Sequence, residues 1–483
     1  MTEALWTSSE LSEATGGQAS APFSVTGISI DSRSLCPGDL FVALSDARDG
    51  HEFAAAAFAA GAAGALVSRP VESGPFILVE DVLEGLTALG IAARERAPQC
   101  YRVAVTGSVG KTSVKEMIAR IFRAAGRAHW SEKSFNNQWG VPLSLARMPR
   151  DTEYAVFEIG MSTPGEIAPR SDMVAPHAAL VTKIAAAHLE GLGSVEAIAD
   201  EKADIFSGLV PGGHVLLPQD SHFLDRLTAR ALSHQPDATV ATFGEGAVAD
   251  LRVLNYESDG QSCEVGMDYR NAPLITRLEA VGAHWAMNAA AAILGACAGS
   301  GLAAAKVAEA LDGYAPPPGR GTAESLDLPS GGAVTLIDDA YNANPESMRA
   351  ALAGFAARPC RGRRILALGE MLEIGSQASA EHAGLADPVL ATAPDLVVLA
   401  GQGMQPLAEC LEERIRTIWE VKSEDLESHM KNILEDGDLL LLKGSNASGM
   451  GRLAERLRGW SEARSSDKKR DSAQSAVRGE NAV

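Results

Sequence analysis

The chain has 483 residues, of which 46% are hydrophobic and 22% are charged, so it can bury several cores, and disorder of the whole chain is excluded. Its 42 Lys and Arg against 62 Asp and Glu give a formal net charge of −20, which argues against general electrostatic binding of nucleic acid or anionic lipid. An anionic ligand must therefore be held locally, by a few basic groups, backbone N–H groups or metal ions.

The six cysteines lie far apart and form no C-x-x-C pair, so neither a zinc site nor a disulfide framework is predicted. The N-terminus lacks the basic and apolar segments of a signal peptide, which predicts a cytoplasmic location. Residues 285–305 carry no charge and are long enough to span a bilayer, but Ala and Gly dominate them. We interpret this stretch as a buried helix of a large domain and expect no membrane insertion.

The predicted elements alternate between strands and helices along most of the chain. In residues 1–98, short apolar runs at 24–30, 40–44, 65–67 and 76–79 alternate with Ala-rich helices such as 53–63, which predicts a small α/β domain. Residues 99–317 predict a second α/β domain, with strands at 102–106, 154–159 and 179–181, helices at 195–209 and 283–299, and a Pro-rich break at 316–319 as a hinge.

A third α/β domain is predicted over residues 318–464, with strands near 334–337, 364–368, 396–400 and 438–442. The alternation predicts largely parallel sheets. The tail, residues 465–483, is polar and almost free of large apolar residues, so we expect it to be disordered.

A glycine-rich loop follows the strand at 102–106 and precedes a helix that we expect to begin near Ser113. Its glycines allow backbone N–H groups to surround a phosphate chain, and the helix N-terminus adds partial positive charge. The alternative, an ordinary strand–helix turn with an incidental lysine, is less favoured by this context. We predict a short P-loop for nucleotide binding formed by Gly107, Ser108, Val109, Gly110, Lys111, Thr112 and Ser113.

Three later residues are candidate metal ligands. Glu158 closes an apolar strand, and the carboxyl ends of parallel strands face the ligand crevice of such sheets. His188 follows the next strand, although a histidine there is more often a surface or packed residue. Lys202 falls inside the apolar stripe of the predicted helix 195–209, where a lysine is costly unless it is paired, modified or extended to water.

Two further clusters have both a structural and a functional interpretation. His284 and Asn288 are four residues apart and project from one helix face, where packing alone or contact with an adenine or phosphate would explain them. Residues 338–345, DDAYNANP, read either as an Asx-rich turn or as a site with carboxylates and amides at a strand end.

Taken together, these motifs resemble the Mur ligases, which build the peptide stem of peptidoglycan precursors in bacteria. The resemblance extends from about residue 30 to residue 450. It rests on the P-loop and on separate motifs at 31–33, 37–44, 49–51, 135–137, 140–143, 158–161, 188–190, 202, 284–288, 319–320, 339–345 and 368–371.

The resemblance implies roles for individual residues. Thr112 and Glu158 would hold one Mg²⁺, and His188 with Lys202 as a carbamate would hold a second. The adenine, phosphates and ribose of ATP would be surrounded by Asn288, Arg320 and Asp339. The N-terminal domain would bind the UDP end of the precursor, and the expected substrate contacts are Ser32, Arg33, Asn136 and Asn137.

The resemblance also implies a reaction. Within the family, residues 368–375, LGEMLEIG, favour the ligase that joins D-alanyl-D-alanine to UDP-N-acetylmuramoyl-tripeptide through an acyl phosphate made with ATP. The catalytic set would then be Lys111, Glu158, His188 and Lys202. The family implies a monomer, and the sequence does not indicate whether stem residue three is lysine or diaminopimelate.

The sequence departs from the family pattern near its C-terminus. After Lys443, Gly444 and Ser445 comes Asn446 where arginine is usual, and Gly451 stands where glutamate is usual. Asn446 cannot supply a guanidinium's charge or its fork of donors. The alternatives are the ligase for the third stem residue, a folylpolyglutamate synthase-like ligase, and a non-catalytic nucleotide-binding relative.

Overall fold

The computed structural model describes residues 4–187 and 189–462. His188 and the tail predicted to be disordered, residues 465–483, lie outside these ranges. The described chain divides into two compact units: residues 4–184, 199–252 and 290–310 form unit 1, and residues 185–187, 189–198, 253–289 and 311–462 form unit 2. The three domains predicted from the sequence, with boundaries at 98/99 and 317/318, stay a prediction.

Unit 1 begins with a small α/β region. Its helices are α1 (Ser8–Thr15), α2 (Ala54–Ala59) and α3 (Val82–Glu95). Its strands are β1 (Trp6–Thr7), β2 (Gln18–Ala19), β3 (Ser24–Val25), β4 (Gly27–Ser29), β5 (Asp39–Val42), β6 (Gly64–Val67) and β7 (Phe76–Leu78). The sheet order is β2-β7-β6-β5-β4, and only the β2–β7 pair in it is antiparallel.

The chain continues through a second α/β region. Its strands are β8 (Tyr101–Thr106), β9 (Ala128–Trp130), β10 (Tyr154–Glu158), β11 (Ala178–Val181), β12 (His214–Pro218), β13 (Thr239–Gly244), β14 (Leu251–Ser258), β15 (Cys263–Tyr269) and β16 (Ala272–Leu278). Its helices are α4 (Lys111–Ala125), α5 (Gly140–Ala146), α6 (Ile167–Val174), α7 (Leu189–Leu192), α8 (Val195–Ala203), α9 (Leu224–His234), α10 (Ala283–Cys297) and α11 (Ala304–Leu311).

Six parallel strands lie in unit 1 in the order β13-β12-β11-β8-β10-β9. The middle strands β8 and β11 are buried along their whole length, in keeping with the apolar residues 103–105 of β8 and the wholly apolar sequence of β11. β15 and β16 form an antiparallel hairpin in unit 2. The register places Glu158 beside Val105, so the last residue of β10 adjoins the start of the glycine-rich loop.

The rest of unit 2 is a third α/β region. Its strands are β17 (Thr322–Asp327), β18 (Ala333–Asp339), β19 (Arg364–Gly369), β20 (Leu396–Ala400), β21 (Thr417–Glu420) and β22 (Leu439–Lys443). Its helices are α12 (Pro345–Ala356), α13 (Ala378–Ala383), α14 (Ala386–Ala391), α15 (Gln405–Leu411), α16 (Ser423–Ile433) and α17 (450–462). The sheet order is β17-β18-β22-β19-β20-β21, with one antiparallel pair, β17–β18.

Two of these observations bear directly on the sequence predictions. The α/β class with mainly parallel sheets is confirmed. The uncharged stretch 285–305 lies mostly in α10, which has 15 residues, and in the described part of the chain no helix is long and apolar enough to cross a membrane.

Candidate active site

The glycine-rich loop occupies the turn between β8 and α4. Gly107 and Gly110 have φ of +149° and +85°, backbone conformations that favour glycine. A Cβ atom on Gly107 would lie 1.9 Å from Oγ1 of Thr182, so no side chain fits there. Both glycines are therefore required by the shape of this loop.

Hydrogen bonds fix the loop against the strand β11 and its continuation. The Ser108 N–H donates to the carbonyl of Lys183 at 2.7 Å, and Oγ1 of Thr182 donates to the carbonyl of Val109 at 2.5 Å. Nζ of Lys111 donates to the carbonyl of Gly107 at 2.7 Å. No side chain of the described residues caps the N-terminus of α4, so its first N–H groups can bind an anion.

Glu158 lies beside this loop and is 1% exposed. One of its carboxylate oxygens accepts from Oγ1 of Thr112 at 2.8 Å, and the other accepts from Nδ2 of Asn136 at 2.6 Å. Oγ of Ser134 lies 3.2 Å from Oγ1 of Thr112. The structure thus brings together Thr112 and Glu158, which were predicted to share a metal ion, and hydroxyl and carboxylate oxygens are ligands that Mg²⁺ prefers.

The two asparagines predicted to contact substrate have different surroundings. Asn136 orients Glu158, as described above. The side-chain oxygen of Asn137 instead accepts from the N–H groups of Trp139 at 3.2 Å and Gly140 at 2.9 Å, at the start of α5. No group of three or more His, Cys, Asp or Glu with metal-binding geometry occurs within residues 4–187 and 189–462.

Lys202 is 1% exposed, as its position in an apolar stripe predicted. Burial, and to a lesser extent the positive charge of Lys111, hold the pKa of the Lys202 amine well below its usual range, while Glu201 acts in the opposite direction. His188, its predicted partner at a second metal ion, lies outside the described residues. A lowered pKa makes the neutral form of the amine, which can act as a nucleophile, easier to reach.

The helix that carries Lys202 is shorter than predicted. α8 ends at Ala203 and is followed by a 3₁₀ turn, Asp204–Phe206, whereas the sequence pattern suggested a helix to residue 209. Beyond that turn the chain packs closely against α6: a Cβ atom on Gly208 would lie 2.2 Å from the backbone of Ser171. Oγ of Ser171 also donates to the carbonyl of Ile205.

Acidic residues on both sides of Lys202 were missed by the sequence reasoning. The Glu201 carboxylate accepts from the N–H groups of Gly165, Glu166 and Ile167 at 2.7–3.0 Å and so caps α6. Two ion pairs to α9 hold the same segment, with N–O distances of 2.5 and 2.7 Å; these are Asp200–Arg226 and Asp204–Arg230. A run of acidic residues around a buried lysine is the signal that could have revealed them.

Lys115 was also missed. It is 0% exposed, and its Nζ donates to the carbonyls of Ser131 at 2.7 Å and Lys133 at 2.9 Å and to the carboxylate of Glu116. The sequence did carry a signal, because Lys115 falls in the apolar stripe of α4 with Ile118 and is thus comparable to Lys202.

Unit 2 holds the remaining predicted nucleotide ligands. Asp339, at the end of β18, forms an ion pair of 2.8 Å with the buried Nζ of Lys443. Burial raises the pKa of the Asp339 carboxyl, although Lys443 and Arg320 act in the opposite direction. The Arg320 guanidinium lies 3.9 Å from the ring centroid of Tyr341.

The other predicted ligands are less enclosed. His284 and Asn288 are both half-buried on α10, and the His284 ring packs against Trp285 with 5.3 Å between ring centroids. In unit 1, Arg33 is exposed and forms a bidentate pair with Asp31, at 2.7 and 2.9 Å, beside Ser32.

Comparison with known proteins identifies the family. Residues 105–296 match the Mur ligase middle domain, and residues 327–446 match the Mur ligase glutamate ligase domain. The UDP-N-acetylmuramoyl-tripeptide–D-alanyl-D-alanine ligase of Escherichia coli (strain K12) is 35% identical over 82% of this chain and 86% of its own length. The chain belongs to the Mur ligase family.

Further Mur ligases agree with this assignment. The ligase of the same name from Bacillus subtilis (strain 168) is 34% identical over 87% of this chain and 90% of its own length. A crystal structure of MurF from Acinetobacter baumannii is similar with a TM-score of 0.81 and 28% identity, over 95% of this chain and 99% of that one. The resemblance drawn from the motifs is thereby confirmed.

Proposed function

We propose that this Mur ligase joins D-alanyl-D-alanine to UDP-N-acetylmuramoyl-tripeptide with ATP, giving UDP-N-acetylmuramoyl-pentapeptide, ADP and phosphate. The observation that carries the proposal is the similarity, over most of both chains, to ligases named for that reaction. Two contacts support it: Lys111 donates to the carbonyl of Gly107 in the glycine-rich loop, and Thr112 donates to Glu158 beside that loop. The same proposal implies a cytoplasmic monomer.

The donor chemistry fits two magnesium ions. Thr112 and Glu158 would hold one, and His188 with Lys202 would hold the other after CO₂ has added to the neutral Lys202 amine to form a carbamate anion. The lowered pKa of Lys202 supports this modification, since only the unprotonated amine reacts with CO₂. When bound, the ions would neutralise charge on the phosphates.

The reaction needs an activated acid, because a carboxylate is a poor electrophile and its oxygen a poor leaving group. The terminal carboxylate of the tripeptide attacks the γ-phosphorus of ATP, ADP leaves, and an acyl phosphate forms. The amine of D-alanyl-D-alanine then attacks the acyl carbon, and the tetrahedral intermediate releases phosphate and a proton as the amide forms. Lys111 would offset repulsion between the anionic nucleophile and the triphosphate.

The remaining predicted ligands complete the proposal. Asn288, Arg320 and Asp339 would contact the adenine, phosphates and ribose of ATP. The muramoyl precursor would contact the other set, which consists of Ser32, Arg33, Asn136 and Asn137. For Asn137 this role is limited to the amide nitrogen, because its oxygen already caps α5.

The test is phosphate release from ATP by the purified protein with UDP-muramoyl-tripeptide and D-alanyl-D-alanine, with mass spectrometry of the product. We expect release only with both substrates and a product larger by one dipeptide less water. Lys111→Ala should lower turnover about 10³-fold while the protein stays folded, since it removes the main cation of the loop. Phosphate release with meso-diaminopimelate and the dipeptide precursor would instead favour the ligase for the third stem residue. If no phosphate is released above the single-substrate controls, the non-catalytic alternative is favoured.

A further inference from the structure

Lys115 is a buried cation whose bonds connect two segments of the candidate active site. Its ammonium lies on α4, one turn after Lys111 and Thr112, and donates to the carbonyls of Ser131 and Lys133. Glu116 supplies the third acceptor, so all three N–H donors of the ammonium are used. The contacts span 16 and 18 residues of sequence and tie the P-loop helix to the segment 131–136.

That segment carries the groups that orient the predicted metal ligands. Oγ of Ser134 lies 3.2 Å from Oγ1 of Thr112, and Nδ2 of Asn136 donates to Glu158 at 2.6 Å. Lys133 lies just before Ser134 in this segment. It has a φ of +50°, a left-handed conformation that is unfavourable for a lysine and needs support from its surroundings. The carbonyl of this residue is one of the two that Lys115 holds.

We propose that Lys115 is a positioning residue for the magnesium site: its ammonium holds the segment 131–136 in the conformation in which Ser134 and Asn136 orient Thr112 and Glu158. The inference rests on the proposed function in one respect, the assignment of Thr112 and Glu158 as metal ligands. Groups that orient metal ligands typically affect metal affinity about 10–100-fold when they are removed.

The test compares ADP binding by calorimetry in MgCl₂ and in EDTA for the wild-type chain and for Lys115→Met. Methionine keeps the length and apolar stem of lysine but leaves both carbonyls without their donor. We expect the gain in ADP affinity that magnesium gives the wild-type protein to fall about 10-fold or more in Lys115→Met. The affinity in EDTA should stay within about twofold, because the P-loop backbone is untouched, whereas a general loss of structure would weaken binding in both buffers.

Asn136→Ala provides a second test of the same connection. It should reduce the magnesium-dependent gain in ADP affinity in the same way. The double variant with Lys115→Met should lose little more of this gain than either single variant, since both substitutions act on Glu158. If Lys115→Met does not fold, Lys115→Gln, which retains a donor, replaces it. The matched control is Lys306→Met in α11, where an exposed lysine pairs with Glu309 at 2.8 Å.

Two results would overturn the inference and can be told apart. A full magnesium-dependent gain in Lys115→Met would show that Lys115 does not position the site, and would leave the proposed function unaffected. A wild-type protein whose ADP affinity does not respond to magnesium would remove the metal assignment itself, and the role of Lys115 with it.

Discussion

Two lysines, one in each unit, are buried to almost the same extent but have opposite surroundings. Lys202 in unit 1 is 1% exposed, its side-chain nitrogen forms no ion pair within the described chain, and its pKa is held well below its usual range. Lys443 in unit 2 is 2% exposed and pairs with Asp339 at 2.8 Å while donating to the carbonyl of Asn342 at 3.0 Å. The acid next to Lys202, Glu201, is occupied by backbone N–H groups instead.

The groups around a buried lysine, rather than its burial, therefore decide what it does. An ammonium with a carboxylate and carbonyls around it acts as a permanent cation that holds loops together. An amine that is buried beside another cation loses its proton readily and becomes available for covalent chemistry. Substitutions at each lysine test this contrast.

Among the changes that test this contrast, the largest effect is expected at Lys202. Lys202→Ala should lower turnover at least about 10²-fold, because it removes the amine on which the proposed carbamate would form. A short carboxylic acid added to the assay should restore part of the activity of this variant by standing in for the carbamate. Full activity of Lys202→Ala without added acid would show that the side chain is merely structural.

The same acid should not rescue Lys443→Met, since the missing group there is a cation. That variant should instead lose about 3 kcal/mol of unfolding free energy in denaturant titrations, because Asp339 is left in a largely buried position without its partner. A loss below about 1 kcal/mol would contradict the assignment of Lys443 as an ion-pair anchor.

A smaller effect, on the pH dependence of stability, is expected at a histidine, His129. Burial lowers the pKa of His129 in unit 1 from 6.5 to about 4, and its Nε2 lies 2.6 Å from the carbonyl of Ser144. The unfolded chain takes up this proton near pH 6.5 and the folded chain only near pH 4, so the stability falls as the pH falls through that window. His129→Gln should flatten the stability–pH curve there by about 2 kcal/mol.

The control for that measurement is His222→Gln, at an exposed histidine of the same unit. A curve for His129→Gln that is as steep as the wild-type curve would show that other groups carry the acid sensitivity.

The smallest effect is expected at Gly451, where the family usually has glutamate. A Cβ atom there would meet only the carbonyl oxygen of Ala340, at 3.6 Å, which is ordinary contact. Gly451→Ala should therefore raise the unfolding free energy by about 0.5 kcal/mol, as removal of a helical glycine does. A loss of stability would mean that the helix 450–462 needs glycine for close packing.

Local motifs made much of this site predictable. The P-loop and Glu158 follow from short sequence patterns, because a strand, a glycine-rich turn and a helix are adjacent in the chain and the last residue of a parallel strand faces the crevice. The burial of Lys202 followed from helical spacing in the same way. Of the fold, the α/β class and the parallel strands were predictable for this reason.

The contacts that hold the site together could not be predicted from such patterns. Lys115 meets carbonyls 16 and 18 residues away, and Glu201 caps a helix that begins 34 residues before it. Gly208, within the stretch predicted to be helical, lies against the backbone of Ser171, which is 37 residues earlier in the chain. These are tertiary contacts, and the periodicity of one segment carries no information about its partner.

The proposed reaction requires this chain to activate a carboxylate as an acyl phosphate, from which an amine then displaces phosphate. The most direct measurement uses UDP-muramoyl-tripeptide labelled with ¹⁸O in its terminal carboxylate, together with ATP and D-alanyl-D-alanine, and determines the mass of the released phosphate. An acyl phosphate transfers one carboxylate oxygen to phosphorus, so each phosphate should carry one ¹⁸O. Unlabelled phosphate alongside amide product, or label found in AMP, would rule out an acyl phosphate intermediate.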